Sequence, residues 1–304
     1  MSLLKHQIVG LLSLVPSLKP VFENNQFDSS ELNFRYLCDG ITNESYWISL
    51  NNEQYVLRLN TPDSQRLGLS RQLETLIMEK VSGLKLIPEV LFQNAQPSFR
   101  LSKWITGTAW TKENFKQPIN LNRLAEALKK LHALPHHEFP TMDLLARLGH
   151  YRLMIQKRHG QLPVIEKQLL SKTIKLYSNL QTSMMPCLCH NDLCAANILE
   201  SQINHHSQLS FLDWEYAAVN DPLFELAVIC VSNELSDTDK QYLLQAYMGS
   251  NQAEQVSLTF DFWCWFYKYI SLLWGLVILP ESQSLPENVN KQFECLIEQM
   301  PSII

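Results

Sequence analysis

The chain has 304 residues, 46% of them hydrophobic and 18% charged, which suffices for a substantial core and for a division into two lobes. A formal net charge of -5 leaves no basic stripe to displace counterions from a phosphodiester backbone, so nucleic acid is excluded as a partner. Seven cysteines, an odd set partly inside apolar runs, suit reduced thiols in a cytoplasmic protein rather than a disulfide framework.

The first segment, MSLLKHQIVGLLSLVPSLKP, carries Leu3, Leu4, Ile8, Leu11, Leu12 and Val15, interrupted by Lys5, His6 and Gln7. With no small-residue cleavage site after it, it reads as an amphipathic surface helix, neither a secretion signal nor a membrane span. From Asn33 the pattern turns extended, and Asn51-Asn52 between two runs of β-branched and aromatic residues signals a hairpin. In its second arm Tyr55, Leu57 and Leu59 share one face, with Val56 and Arg58 on the other. A helix is expected over 67–81, on a stripe of Leu69, Leu73, Leu76, Ile77 and Met78, then two short strands from Glu89 and from Phe99.

The polar connector Thr106-Gly107-Thr108 is taken as the lobe boundary, giving residues 1–105 and 106–304. Beyond it, Leu121, Leu124, Leu128 and Leu131 mark one buried face of a helix ending near His132. Helical sequence returns over 144–180 with a break at Gly160 to Pro163, short strands follow, and helices resume from Leu223. The fold class expected is α+β, a small strand-rich lobe before a larger helical one.

Two polar islands stand out among these late strands, LCHNDLCAANIL at 188–199 and FLDWEYAAVNDP at 211–222. Taken singly, Asn191 and Asp192 are ordinary turn residues, Asn197 a cap and Asp213 a loop acid. Taken together, an aspartate two residues after His190, an asparagine five residues after that, and an apolar strand delivering Asp213 match what phosphoryl transfer needs. That chemistry requires a carboxylate to orient and deprotonate a hydroxyl and oxygen ligands for Mg²⁺ on the phosphates of ATP. Cys187, Cys189, His190 and Cys194 offer four soft ligands within eight residues. No second separated pair accompanies them, so they read as core filler rather than a zinc site. Asp221 followed by Pro222, with Glu225 in the first turn, is a helix start before it is anything else.

The two islands resemble the catalytic and metal-binding motifs of the choline kinase, thiamine kinase and aminoglycoside phosphotransferase superfamily, small-molecule kinases with a protein-kinase-like two-lobe fold. His190-Asn191-Asp192 followed by Asp213-Trp214-Glu215-Tyr216 is most similar to its choline and ethanolamine kinase branch. The resemblance implies Asp192 as catalytic base, Asn197 and Asp213 as Mg²⁺ ligands, and ATP as phosphate donor. It further implies phosphate contacts from Thr42 and Asn43 in the turn 38–43, and from Arg58 at the position where protein kinases carry a lysine. Glu74, in Ser-Arg-Gln-Leu-Glu, is the implied partner of Arg58, with Glu79 as competitor, and the adenine is expected near residues 101–105. Asp221 is assigned a supporting role, while Glu215 stands open between metal, substrate and neither.

The acceptor is sought in the aromatic run Phe262 to Tyr269 and in Leu272-Leu273-Trp274-Gly275-Leu276, which resembles a Trp-Gly-Leu run of choline kinases. A quaternary ammonium donates no hydrogen bond and must be held by ring faces and a carboxylate. Trp263, Tyr267 and Trp274, with Glu215, are the substrate candidates, although core packing of one helix face would give the same spacing. The reading is therefore a cytoplasmic kinase of a small cationic alcohol, choline or ethanolamine first, thiamine second and an aminoglycoside third. A silent nucleotide-binding pseudokinase is the rival. The expected partner is the small-molecule acceptor, with no nucleic acid or membrane, and a homodimer is left open.

Overall fold

The computed structural model describes residues 3–23, 31–39, 42–61, 64, 66–94, 98–180, 184–203 and 206–302. Two compact units are present: residues 1–65 with 88–106, and residues 66–87 with 107–304.

The first unit is an antiparallel sheet of β1 (Asn33–Asp39), β2 (Asn43–Leu50), β3 (Glu53–Asn60), β4 (Val90–Gln93) and β5 (Phe99–Lys103), in the order β1-β2-β3-β5-β4. Asn51 and Asn52 join β2 to β3 with φ of 51° and 62°. Both lie in the left-handed region that a two-residue hairpin turn demands and asparagine tolerates. The helices α1 (Leu3–Leu12) and α2 (Lys19–Glu23) precede the sheet. Ile8 and Leu12 of α1 pack with Ile48, Leu50, Tyr55, Leu57 and Leu101 in one core, so the amphipathic pattern at the N-terminus covers a sheet face. Arg58 sits on β3 opposite Ser45 and Arg100. At 6% exposed it is a buried arginine, not a solvated one.

The second unit is mainly helical. It contains α3 (Arg71–Val81), α4 (Pro118–His132), α5 (Leu144–His159), α6 (Val164–Asn179), α7 (Pro222–Ser232), α8 (Asp237–Met248), α9 (Ser250–Gln255), α10 (Ser257–Val277) and α11 (Val289–Glu298). Helix α3 starts at Arg71, not at residue 67, because the Ser70 hydroxyl caps it by accepting from the Leu73 N-H. Its buried face differs from the expected leucine stripe: Arg71, Glu74, Ile77, Met78 and Val81 are buried, and Leu76 is exposed. Two polar residues thus occupy the face that a hydrophobicity pattern assigns to leucines. Although it precedes residue 106, α3 groups with the helical unit.

Short strands thread this unit: β6 (Thr108–Ala109), β7 (Cys187–Cys189), β8 (Ile198–Ile203), β9 (His206–Phe211) and β10 (Ala218–Asn220). β7 pairs antiparallel with β10, and β8 lies between β6 and β9. The expected polar connector is in part strand β6, too short and too exposed to show any alternation. Its neighbour Gly107 is required on steric grounds, since a Cβ there would meet the Glu200 carbonyl oxygen at 2.5 Å. Gly107→Ala is therefore expected to destabilise the protein by about 1–3 kcal/mol, the usual cost of forcing backbone apart in a packed region. A urea midpoint lowered with unchanged slope is the check. Among the described residues no helix is long and apolar enough to cross a membrane.

Candidate active site

Pairing brings the two polar islands together. β7 delivers the chain to His190, and its register with β10, Cys189 opposite Ala218, sets His190–Asp192 beside the turn that follows Asp213. β8 and β9 form a hairpin with Ile198 opposite Phe211, so Asn197 lies against Leu212, whose N-H donates to the Asn197 carbonyl at 2.8 Å. His190 closes the third side. Its Nε2-H donates to the Leu212 carbonyl at 2.9 Å, and its ring meets that of Trp214 at 4.6 Å with a tilt of 58°. Burial pushes the His190 pKa down, which keeps the imidazole neutral and lets it serve as a fixed link between the islands.

Two residues hold special backbone conformations here. Asn191 and Asp213 have φ of 64° and 61°, in the left-handed region where short polar side chains are tolerated and functional turns concentrate. The Asn191 amide donates to the Tyr216 carbonyl at 3.1 Å and its Oδ1 accepts from Asn220 at 2.8 Å. Its turn is thus clamped from both ends of the second island.

Helix α7 supports the loop from behind. Asp221 caps it, its Oδ1 accepting from the Leu223 N-H at 2.8 Å, as the Asp-Pro start implies. Glu225, fully buried, accepts from the backbone N-H groups of His190 at 2.6 Å and Asn191 at 2.9 Å through Oε1. Its Oε2 meets His132 Nε2 at 2.5 Å. At the other end of the helix Asn233 accepts from the Ala195 N-H at 2.7 Å and donates to the Leu193 carbonyl at 3.1 Å. Neither Glu225 nor Asn233 announced this in the sequence, where each reads as an ordinary helix-terminal polar residue.

Asp192 is partly exposed. Desolvation, reinforced by the charges of Asp213 and Glu215, holds its pKa well above the usual carboxylate range, against the opposing hydrogen bond from Asn197. That bond is at 3.1 Å to Oδ2, and the same Nδ2 also donates to the Asp192 carbonyl at 2.8 Å. With its NH₂ so committed, Asn197 has Oδ1 to offer a metal. Oxygen donors that repel one another in a small space are what a hard divalent cation such as Mg²⁺ accepts, so the residues present fit that ion.

Glu215 takes part in an ion-paired triad. Arg71 Nη1 donates to Glu215 Oε2 at 2.9 Å and to Glu74 Oε2 at 2.8 Å, with all three side chains buried. Arg71 was not foreseen as a site residue, because 144 positions separate it from Glu215. Within this unit Glu74 thus has a partner in Arg71.

The aromatic candidates divide. Trp274 Nε1 donates to the Tyr216 hydroxyl at 2.8 Å, and Tyr267 shares a 2.9 Å hydrogen bond with Ser232. Burial raises the pKa of both phenols, and the nearby Asp192 carboxylate raises each further. Tyr216 and Tyr267 thus lie within the electrostatic reach of Asp192, Trp274 is tied to Tyr216, and Arg147 lies 5.3 Å over the Tyr216 ring. Trp263 is not among them. It is 2% exposed and packs edge-on against Phe224, Tyr177 and Phe266 at 5.5 to 5.9 Å. It shares a helical face with Tyr267 and Trp274, but α6 and α7 cover that stretch, so this ring belongs to the core.

In the sheet unit, Thr42 and Asn43 are buried and joined by a 3.2 Å side-chain hydrogen bond. Gly40 and Ile41, the middle of the expected phosphate turn, lie outside the described residues. The local set of soft ligands does not assemble around His190, whose ring is turned to Leu212. Cys187 and Cys189 instead meet His132 of α4.

A mainly helical unit with a His-Asn-Asp loop and a left-handed aspartate after an apolar strand, in a chain that also builds a five-stranded antiparallel sheet, defines a kinase-like fold. The model of the phosphotransferase enzyme family matches residues 34–255, and the chain belongs to that family. Protein LicA of Haemophilus influenzae is 25% identical over 216 residues, 68% of this chain and 60% of that protein. Human ethanolamine kinase 1 is 24% identical over 229 residues, 69% of this chain and 48% of that protein. The chain thus spans less than two thirds of the length of either relative. The crystal structure of choline kinase LicA from Streptococcus pneumoniae superposes with a TM-score of 0.72 at 16% identity, covering 93% of this chain and 98% of that one; at that identity the likeness concerns the fold.

Proposed function

We propose that this protein is an ATP-dependent kinase that phosphorylates the hydroxyl of a small cationic alcohol, choline or ethanolamine foremost. The observation that carries the reading is the double neighbourhood of Asp192: Asp213 and Glu215 on one hand, the rings Tyr216 and Tyr267 on the other. A carboxylate so placed faces both a metal-nucleotide and a cation. The name of human ethanolamine kinase 1 among the relatives supports the same acceptor class.

In this mechanism Asp192 orients the acceptor hydroxyl and takes its proton as the oxygen attacks the γ-phosphorus, and ADP leaves. Asn197 Oδ1 and Asp213 would hold Mg²⁺, which would supply charge neutralisation on the phosphates. Arg58, Thr42 and Asn43 are assigned to the phosphates. The Tyr216, Tyr267 and Trp274 faces attract the acceptor cation through their quadrupoles and exclude water from it. Glu215, tied to Arg71, adds negative charge close to the acceptor. The catalytic work is positioning and charge neutralisation, with little covalent contribution from the protein.

The test is MgATP turnover with choline, ethanolamine, thiamine and kanamycin in parallel. ADP release that depends on choline or ethanolamine is expected. A preference for kanamycin, or no acceptor-dependent release at all, overturns the reading, the latter in favour of a nucleotide-binding pseudokinase. Trp274→Ala should raise the acceptor KM by about 5- to 30-fold, corresponding to a desolvated cation–π contact of about 1–2 kcal/mol, and leave the KM for ATP within twofold.

A further inference from the structure

Phosphoryl transfer makes no use of a second constellation, which lies behind the loop that carries Asp192. Cys187 and Cys189 are two residues apart on β7, so their side chains emerge on the same side of the strand. Both are buried free thiols, with their sulfurs 3.7 Å apart. His132, at the last residue of α4, brings its ring to them, and its ligand nitrogen and both sulfurs lie within 4.8 Å of one another.

The spacing carries chemical information. Two thiolates at about 2.3 Å from a tetrahedral zinc ion stand about 3.8 Å apart, which is the separation already present between these sulfurs. The histidine is also prepared as a ligand: Nδ1 meets the Tyr247 hydroxyl at 2.7 Å and Nε2 meets Glu225 at 2.5 Å. Whichever nitrogen binds a metal, the other keeps a hydrogen-bond partner that fixes the ring, as metal-ligating histidines require. Two thiolates and a neutral imidazole around a divalent cation sum to zero charge, which suits a buried position.

We propose that His132, Cys187 and Cys189 form a binding site for one thiophilic divalent cation, zinc foremost, distinct from the oxygen-lined Mg²⁺ position at Asn197 and Asp213. Sulfur and imidazole donors select such an ion over Mg²⁺. Three protein ligands leave the fourth tetrahedral position to water, and binding releases to solvent the protons carried by the thiols and by the His132 imidazolium. The role of the ion is structural. Glu225, hydrogen-bonded to His132, also holds the His190 and Asn191 N-H groups, so an ion there would tie α4, β7 and α7 to the base of the loop. The sequence conceals this site because one ligand stands 55 residues before the others, whereas the nearer His190 is engaged elsewhere.

The full chain, stripped with a chelator and freed of it, would be titrated with Zn²⁺ and, as a spectroscopic probe, Co²⁺. The expected result is one equivalent bound, with a thiolate-to-cobalt charge-transfer band and the intense visible bands of tetrahedral geometry. Cys187→Ser and His132→Gln should each weaken binding at least 100-fold, while Cys295→Ser, at an exposed thiol, should leave it unchanged. Should those variants fail to fold, alkylation of the wild-type protein decides: one equivalent of Zn²⁺ should protect Cys187 and Cys189 together, read by peptide mass spectrometry. Weak octahedral cobalt bands, or equal alkylation of both thiols with and without Zn²⁺, overturn the site. These readouts do not depend on turnover, so the proposed activity and the metal site fail separately.

Discussion

Asp192→Asn should lower kcat by about 10²–10⁴-fold, the range that a positioned general base supplies, and leave MgATP affinity within about threefold. The asparagine fits the same space, and the Asn197 amide still finds an oxygen on residue 192 and its carbonyl. What it cannot do is accept the acceptor proton. Affinity for MgATP should hold because Asp213 and Asn197, the assigned metal ligands, are untouched. The substitution also relieves the repulsion that Asp213 and Glu215 exert on a charge at residue 192. Single-turnover ADP release with the preferred acceptor, alongside nucleotide binding by calorimetry, separates the two quantities. A variant with near wild-type kcat would take the base assignment away from this residue, and with it the link between the two polar islands and the chemistry.

The parts of this site that were legible in the sequence are those built by short stretches of chain. His190, Asp192 and Asn197 sit in one loop with fixed spacing, and the apolar strand before Asp213 can deliver it to one place only once β8 and β9 pair. Asp-Pro gave the start of α7. Long-range pairing leaves no local mark in the sequence. Nothing local couples Arg71 to Glu215, His132 to Glu225, or Asn233 to Ala195. Each is a polar residue whose periodicity and propensity are unremarkable, and each becomes specific only when two elements meet. The same limit explains the errors on α3 and α10. Helical spacing places Leu76 and Trp263 on a face, but whether that face is covered at that height depends on which helix crosses it. Leu76 was left exposed, and Trp263 was covered by Phe224.

Glu225→Ala should destabilise the protein by about 3–5 kcal/mol, the cost of breaking a buried charged network from one side. The carboxyl is fully buried. Burial by itself would raise its pKa, yet the hydrogen bond and charge of His132 prevail and hold it below the usual value. Removing it leaves the His190 and Asn191 N-H groups and the His132 ring without their common acceptor, and each stranded buried donor costs about 1–3 kcal/mol. Glu225→Gln should cost less than alanine, since Oε1 can still accept both N-H groups while only the contact with His132 is compromised. The expected order in urea midpoint is wild type, then Gln, then Ala, at constant slope. Turnover should fall further than stability alone accounts for, because the two released N-H groups belong to the residues immediately before Asp192. An alanine variant within about 1 kcal/mol of wild type would mean that the loop is held by Asn233 and the β7–β10 pairing without α7's acid, and the connection drawn here between the helix and the catalytic turn would not stand.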